Sequence, residues 1–322
     1  MLLFLYSDLR PNGCITRNND NLFSVSEGTG KDAEEGDINL IFGISSAKLQ
    51  KKVSKFLVYL LLTAGGVIVA FPFYWMLSTA LKVPGQEFAS FFLFPRNPQW
   101  INFVKGWTIL PFTRWLWNTV IITGGSVAGQ ILSGSLIAFG FARTKFRGRD
   151  FLFLVCLSSL MIPFQVTMVP QFILFKHLGW LDTFKPLIVP FFFGGNPFFI
   201  FLLRQFFLAI PSELDQAARI DGCGTFGVFT RIVLPLSKPA LGIVAIFSFM
   251  WRWNDFLGPL IFLNSTKKYT LALGLRFFRG QLHVEWTYLM AVSFLVVIPC
   301  LILFFIAQRY YIQGIVMSGI KG

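Results

Sequence analysis

Acidic side chains are scarce in this chain of 322 residues. Seven of its 15 Asp and Glu fall within the first 47 positions, which leaves eight for everything that follows, against 25 Lys and Arg. Charged residues of both signs make up 13% of the chain, about half the share of an ordinary soluble domain. Histidine occurs twice, at His177 and His283, and cysteine four times, at Cys14, Cys156, Cys223 and Cys300. None of the cysteines has the close spacing of a zinc site or of a disulfide framework. No paired-histidine metalloprotease motif and no nucleophile elbow is present. A catalytic role is therefore not expected, and neither is a metal or another cofactor. A nucleic-acid partner is not expected either.

What the chain has instead is apolar length. It is 55% hydrophobic and contains 40 Phe. About 20 apolar residues in helical conformation cross a hydrocarbon layer of about 30 Å. Six stretches approach or meet that length, at about 56–81, 115–142, 151–175, 186–208, 239–263 and 286–308. Helices satisfy their backbone groups internally in lipid, so the expected fold class is all-α, a polytopic transmembrane bundle of six spans over residues 48–322. Pro163 and Pro170 interrupt the third span. Gly125, Gly129 and Ser133 form a small-residue stripe in the second, which permits close helix contact.

Short loops rich in Lys and Arg stay in the cytoplasm. Lys48, Lys51, Lys52 and Lys55 precede the first span, and Arg143, Lys145, Arg147 and Arg149 crowd the connection after the second. Both termini are then cytoplasmic in a multi-pass protein of the cell (inner or plasma) membrane. Residues 1–47 read as a separate, disordered acidic tail. Its Gly28-Thr29-Gly30-Lys31 is not a phosphate loop, since Val25 replaces the first glycine and Asp32 the needed hydroxyl residue. Inside the spans the only acid is Asp255, too little titratable machinery for ion coupling, and no internal repeat of broken helices is evident. A self-sufficient secondary carrier is the alternative from another class.

The polar interruption IPSELDQAARIDGCGTFGVFTRIVLPLSKP, residues 210–239, holds three of the eight acids, Glu213, Asp215 and Asp221. Pro211 breaks what precedes it. Ser212 is the expected N-cap of a short helix, with Asp215 in capping-box position. Gly222 is the expected left-handed stop. A second helix runs from Phe226 to Leu234 with Phe226, Phe229, Ile232 and Val233 on one side, and ends at Pro235.

This segment resembles the EAA loop of ABC importer permeases. Gln216-Ala217-Ala218-Arg219-Ile220-Asp221-Gly222-Cys223 and the later Phe229 to Leu234-Pro235 carry the likeness, with Gln216 where the family has Glu. The flanks resemble the carbohydrate, maltose-type branch, as do MIPFQVTMVPQF in the third span, WNDFLGP in the fifth and the tail from Gln308. The resemblance covers about residues 50–322. It implies a permease subunit of an ATP-driven sugar importer, working with a second homologous permease, two ATPase subunits and an extracytoplasmic solute-binding protein. The loop would couple to the ATPase. An ABC permease for a non-sugar solute is the nearer alternative. On this reading Trp251, Asn254 and Asp255 are the candidates for the translocation path. Asp255 lies in the outer half of a continuous fifth helix, where a charge costs ~2.5–3.5 kcal/mol on insertion scales. Trp251 shares its helical face and Asn254 is turned about 100° away. Arg252 stands one turn before Asp255, placed to pair with it.

Overall fold

A computed structural model of the protein describes the backbone of residues 31–87, 94–280 and 285–318, with side chains between 52 and 308. The chain divides into two compact units, 1–69 and 70–322. Among the described residues the regular elements are helices. Helix α1, Lys31–Ala80, takes in residues 31–47, which the sequence assigns to a disordered tail. The rest of the tail lies outside the described residues.

In the second unit follow α2 (Ile101–Ile109), α3 (Phe112–Arg143), α4 (Arg149–Ser158), α5 (Phe164–His177), α6 (Lys185–Ile188) and α7 (Pro197–Ala209). Then come α8 (Ser212–Ile220), α9 (Thr225–Val228), α10 (Leu234–Leu236), α11 (Lys238–Trp253), α12 (Leu257–Phe262), α13 (Leu271–Gly274) and α14 (Trp286–Ser318). Among the described residues four helices are long and apolar enough to cross a membrane, and the number is six if each of two bent pairs is one span.

The third, fourth and fifth spans are not the continuous helices the apolar runs imply. The third bends by 101° between Met161 and Phe164. Pro163 holds Ile162 extended (ψ 113°), because its ring excludes the helical region for the preceding residue. Pro170 stays inside α5 without ending it. The fourth passes from α6 into a 3₁₀ turn, Val189–Phe193, before α7 begins. The fifth stops at Trp253 and resumes at Leu257; the ring of Pro259 forbids a helical carbonyl four residues before it, at Asp255.

α3 is the axis of the unit. Its buried face carries polar residues at helical spacing, and these supply partners for the irregular backbone beside it. The Ser126 hydroxyl donates to Leu187 O at 2.8 Å, and that of Ser133 to Phe191 O at 2.7 Å. Gln130 accepts from Asn196 N at 2.7 Å and donates to Gly194 O. Without such partners each buried backbone group costs several kcal/mol in an apolar setting (~1–3 by mutational data). Nearer the start of α3, Asn118 donates to the carbonyls of Lys267 and Tyr269 at 2.9 Å, and Thr119 accepts from Leu271 N. The glycine stripe serves internal packing: a Cβ on Gly129 would lie 2.6 Å from the Phe192 ring, and one on Gly125 2.9 Å from Ile188.

Candidate functional site

Two places collect the residues singled out by sequence, one at the end of the bundle and one within it. At the end, α8 starts without a side-chain cap: Pro211, not Ser212, precedes it in extended conformation. The expected capping box does not form, because Asp215 turns inward and its Oδ2 lies 3.4 Å from Arg143 Nη1. The far end is as expected. Gly222 has φ +84°, and the bonds Gly222 N to Arg219 O and Cys223 N to Ala218 O form a Schellman closure.

The second short helix differs from the expectation. It opens with α9, widens into a π turn over Phe229–Val233 and ends in α10 at Leu236, beyond Pro235. Widening the turn lets the chain carry a residue that has no N–H to donate. It also re-aims the side chains, so Phe226 is 70% exposed while Val228, Phe229 and Val233 are buried. These three join Ala218, Phe139, Phe199, Leu203, Phe207 and Val244 in one core. The Phe229 and Phe139 ring centroids are 5.0 Å apart. The loop is thus cemented to α3, α7 and α11 by its inner face. Its outer face presents Glu213, Gln216, Ala217, Asp221, Gly222 and Pro235, with Leu214, Ile220 and Phe226 as exposed apolar side chains. Leu234 is half-buried.

Within the bundle, the break in the fifth span corrects the picture of a charge on a straight helix. Asp255 sits in the break, where Oδ1 accepts from Gly258 N at 3.1 Å, at the first turn of α12. Oδ2 accepts from Arg252 Nη1 at 3.0 Å. The Arg252 guanidinium stands 4.8 Å over the ring of Phe191, in the 3₁₀ turn of the fourth span. Phe164, the first residue past the third-span bend, completes the meeting of three broken spans. It lines a cavity of about 370 Å³ with Arg252, Asn254, Asp255, Phe256 and Leu257.

Asn254 is therefore not turned away from Asp255, since the helix ends before both. It also borders a second cavity of about 560 Å³, with Trp251, Met250, Ile246, Phe247 and Phe304. The Trp251 ring lies 5.1 Å from that of Phe199. The two cavities together offer a paired carboxylate, a carboxamide and several aromatic faces, a set suited to hydroxyl groups and apolar ring faces. Sequence reading missed Phe164, Phe191 and the polar face of α3. The regular spacing of Ser126, Gln130 and Ser133 in an apolar run was the available signal. Among the described residues no three His, Cys, Asp or Glu side chains come together.

Residues 130–316 match the family model described as binding-protein-dependent transport system inner membrane component. The chain is 34% identical over 256 residues to the probable ABC transporter permease protein YurM of Bacillus subtilis (strain 168), covering 80% of this chain and 85% of that one. It is 38% identical over 211 residues to the arabinooligosaccharides transport system permease protein AraQ of Halalkalibacterium halodurans, covering 66% and 75%. A crystal structure of a bacterial ABC transporter involved in the import of the acidic polysaccharide alginate shares the fold, with a TM-score of 0.70 over 85% of this chain and 97% of that one at 21% identity.

Proposed function

We propose, on the footing that the chain belongs to the family of binding-protein-dependent transport system inner membrane components, that it is a permease subunit of an ATP-driven importer of sugars. The observation that carries this reading is the helix–glycine–helix at the end of the bundle. Its inner face is buried in the core, and its outer face leaves Leu214, Ile220 and Phe226 uncovered. A rigid lever with exposed apolar side chains set among polar ones on its outer face fits a partner that pushes it. The basic residues Arg143, Lys145, Arg147 and Arg149 lie at the same end, which supports a cytoplasmic lever with both termini on the same side. There an ATPase dimer docks on it. A second permease completes the path, and a solute-binding protein delivers substrate from outside.

Trp251, Asn254 and Asp255 would line the path, with the aromatic faces stacking on sugar rings and Asn254 and Asp255 meeting hydroxyls. The sugar assignment is supported by the resemblance of the WNDFLGP and IPSELDQAARIDG segments and by the relative AraQ. Affinity purification of the tagged chain from its native membranes tests the assembly, with an ATP-binding subunit and a second permease as the expected companions. Uptake of labelled arabino-oligosaccharides and of sn-glycerol 3-phosphate by cells with and without the gene tests the solute. Loss of uptake confined to the phosphate would overturn the sugar reading. Recovery of the chain alone, with full uptake, would overturn the importer reading.

A further inference from the structure

One buried guanidinium joins three elements at the end of the bundle that carries the lever. Arg143 is the last residue of α3. Its Nη2 donates to Phe207 O at 2.7 Å and to Ile210 O at 2.6 Å, the closing carbonyls of α7, where a cation is favoured. Its Nη1 faces Asp215, in the first turn of α8, at 3.4 Å. The Arg143 and Asp215 side chains are only 9% and 13% exposed, whereas Lys145 and Arg147 of the same loop are solvated. Arg204 of α7 returns the contact. Its Nε donates to Phe141 O in the last turn of α3, and its guanidinium stacks 4.2 Å over the Phe153 ring of α4.

A loop charge that served only to orient the chain in the membrane would stay in water. Burying one is costly unless partners are fixed around it. Here the partners are one carboxylate and two carbonyls on two different helices. The geometry points to Arg143 as a positioning residue for energy coupling: it fixes the angle of α8 against α3 and α7, so that a displacement of the lever moves the central helix instead of being absorbed in a hinge. This rests on the importer reading. The role demands the guanidinium fork, because a lysine ammonium is a point charge on a flexible stem and does not span three acceptors shared between two elements. Asp215 contributes only part of the clamp. Its Oδ1 is buried without a partner, and the two carbonyls remain when its charge is removed.

The test uses the whole transporter, with the four cysteines of this chain replaced by serine and Asn254→Cys as a reporter on the cavity wall. ATP plus vanadate is the probe, so no sugar is needed. In the parent the trapped state is expected to change the maleimide labelling rate of the reporter. Arg143→Lys should keep ATP hydrolysis within about twofold yet shrink that change by about tenfold, the size expected for losing one charge-assisted bond. Asp215→Asn should shrink it less, and Arg147→Gln should leave it intact. In the isolated chain, trypsin should cut after Arg219 faster in Arg143→Lys than in the parent. A labelling change that survives Arg143→Lys overturns the proposal. Faster cleavage with an unchanged labelling response reduces Arg143 to a stabilising residue and overturns it equally. A parent complex that binds no ATPase, or shows no response to vanadate, counts against the importer reading itself.

Discussion

Gly222 acts through a dihedral angle alone. Its φ of +84° lies where residues with a Cβ are strained, yet a Cβ placed there would meet nothing within 4 Å. Gly222→Val therefore adds ~1–2 kcal/mol of local strain without a clash. The membrane fold should survive and the angle between α8 and α9 should not. The expected outcome is a well-expressed protein with uptake uncoupled from ATP hydrolysis, and normal uptake would refute it. Asp255 is a different kind of residue, because its carboxylate has two structural partners and a cavity in front of it. If its main role is on the path, Asp255→Ala lowers uptake more than assembly or basal ATPase activity. The double change Arg252→Ala/Asp255→Ala then restores little. Restoration of most of the loss by the double change would show a local clamp instead.

At the scale of elements, the broken fourth span depends on α3. Gln130 is completely buried and holds both Asn196 N and Gly194 O. Gln130→Leu keeps the volume near constant and leaves a donor and an acceptor unpaired, at a cost of ~1–3 kcal/mol each. The melting temperature in detergent should fall by several degrees, and an unchanged value would mean that water replaces the side chain. A second inter-element tie lies in the connections beyond the spans. Asp182 accepts from Asn264 N, Ser265 N and the Ser265 hydroxyl, and Lys268 reaches both its carboxylate and its carbonyl. The Ser265 hydroxyl above all, and then the two amides and Lys268, outweigh burial and hold this carboxyl well below the usual carboxylate range. A depressed folded-state value stabilises above the unfolded-state pKa, and that contribution is lost only as pH falls through the folded value. Asp182→Asn should thus lower the melting temperature by a constant amount from pH 8 to pH 5, with the gap narrowing below about pH 4. A gap that opens instead on acidification would contradict the assigned bonds.

The whole molecule has apolar helices for a bilayer and, among the described residues of its spans, almost no titratable groups to couple an ion gradient. The chain by itself in liposomes is expected not to accumulate sugar, whatever proton or sodium gradient is imposed. Uphill uptake under either gradient would replace the importer reading with a secondary carrier. The broken helices give that rival its best argument, since carriers use unwound segments at their sites. In this chain, however, the breaks of the fourth span are filled by α3 side chains, and Asp255 is already neutralised by Arg252.

The helical class, the long apolar runs and the shape of the lever were legible in the sequence, because each depends on local chemistry. Apolar length reports burial in lipid, and Asp-Gly after a short amphipathic helix reports a left-handed stop. The bends, and the partners across them, were decided only by the tertiary structure. Hydropathy averages over some 20 residues and is blind to a single peptide turning aside at Pro163 or Asn254. Whether such a turn is stable depends on a side chain far along the chain that satisfies the freed backbone group, as Gln130 does for Asn196. The same holds for Arg143, which in sequence is one more positive charge at a membrane edge. Its burial among carbonyls 64 and 67 residues away makes it a clamp, because contacts at that separation are set by how helices pack and not by the residues beside them.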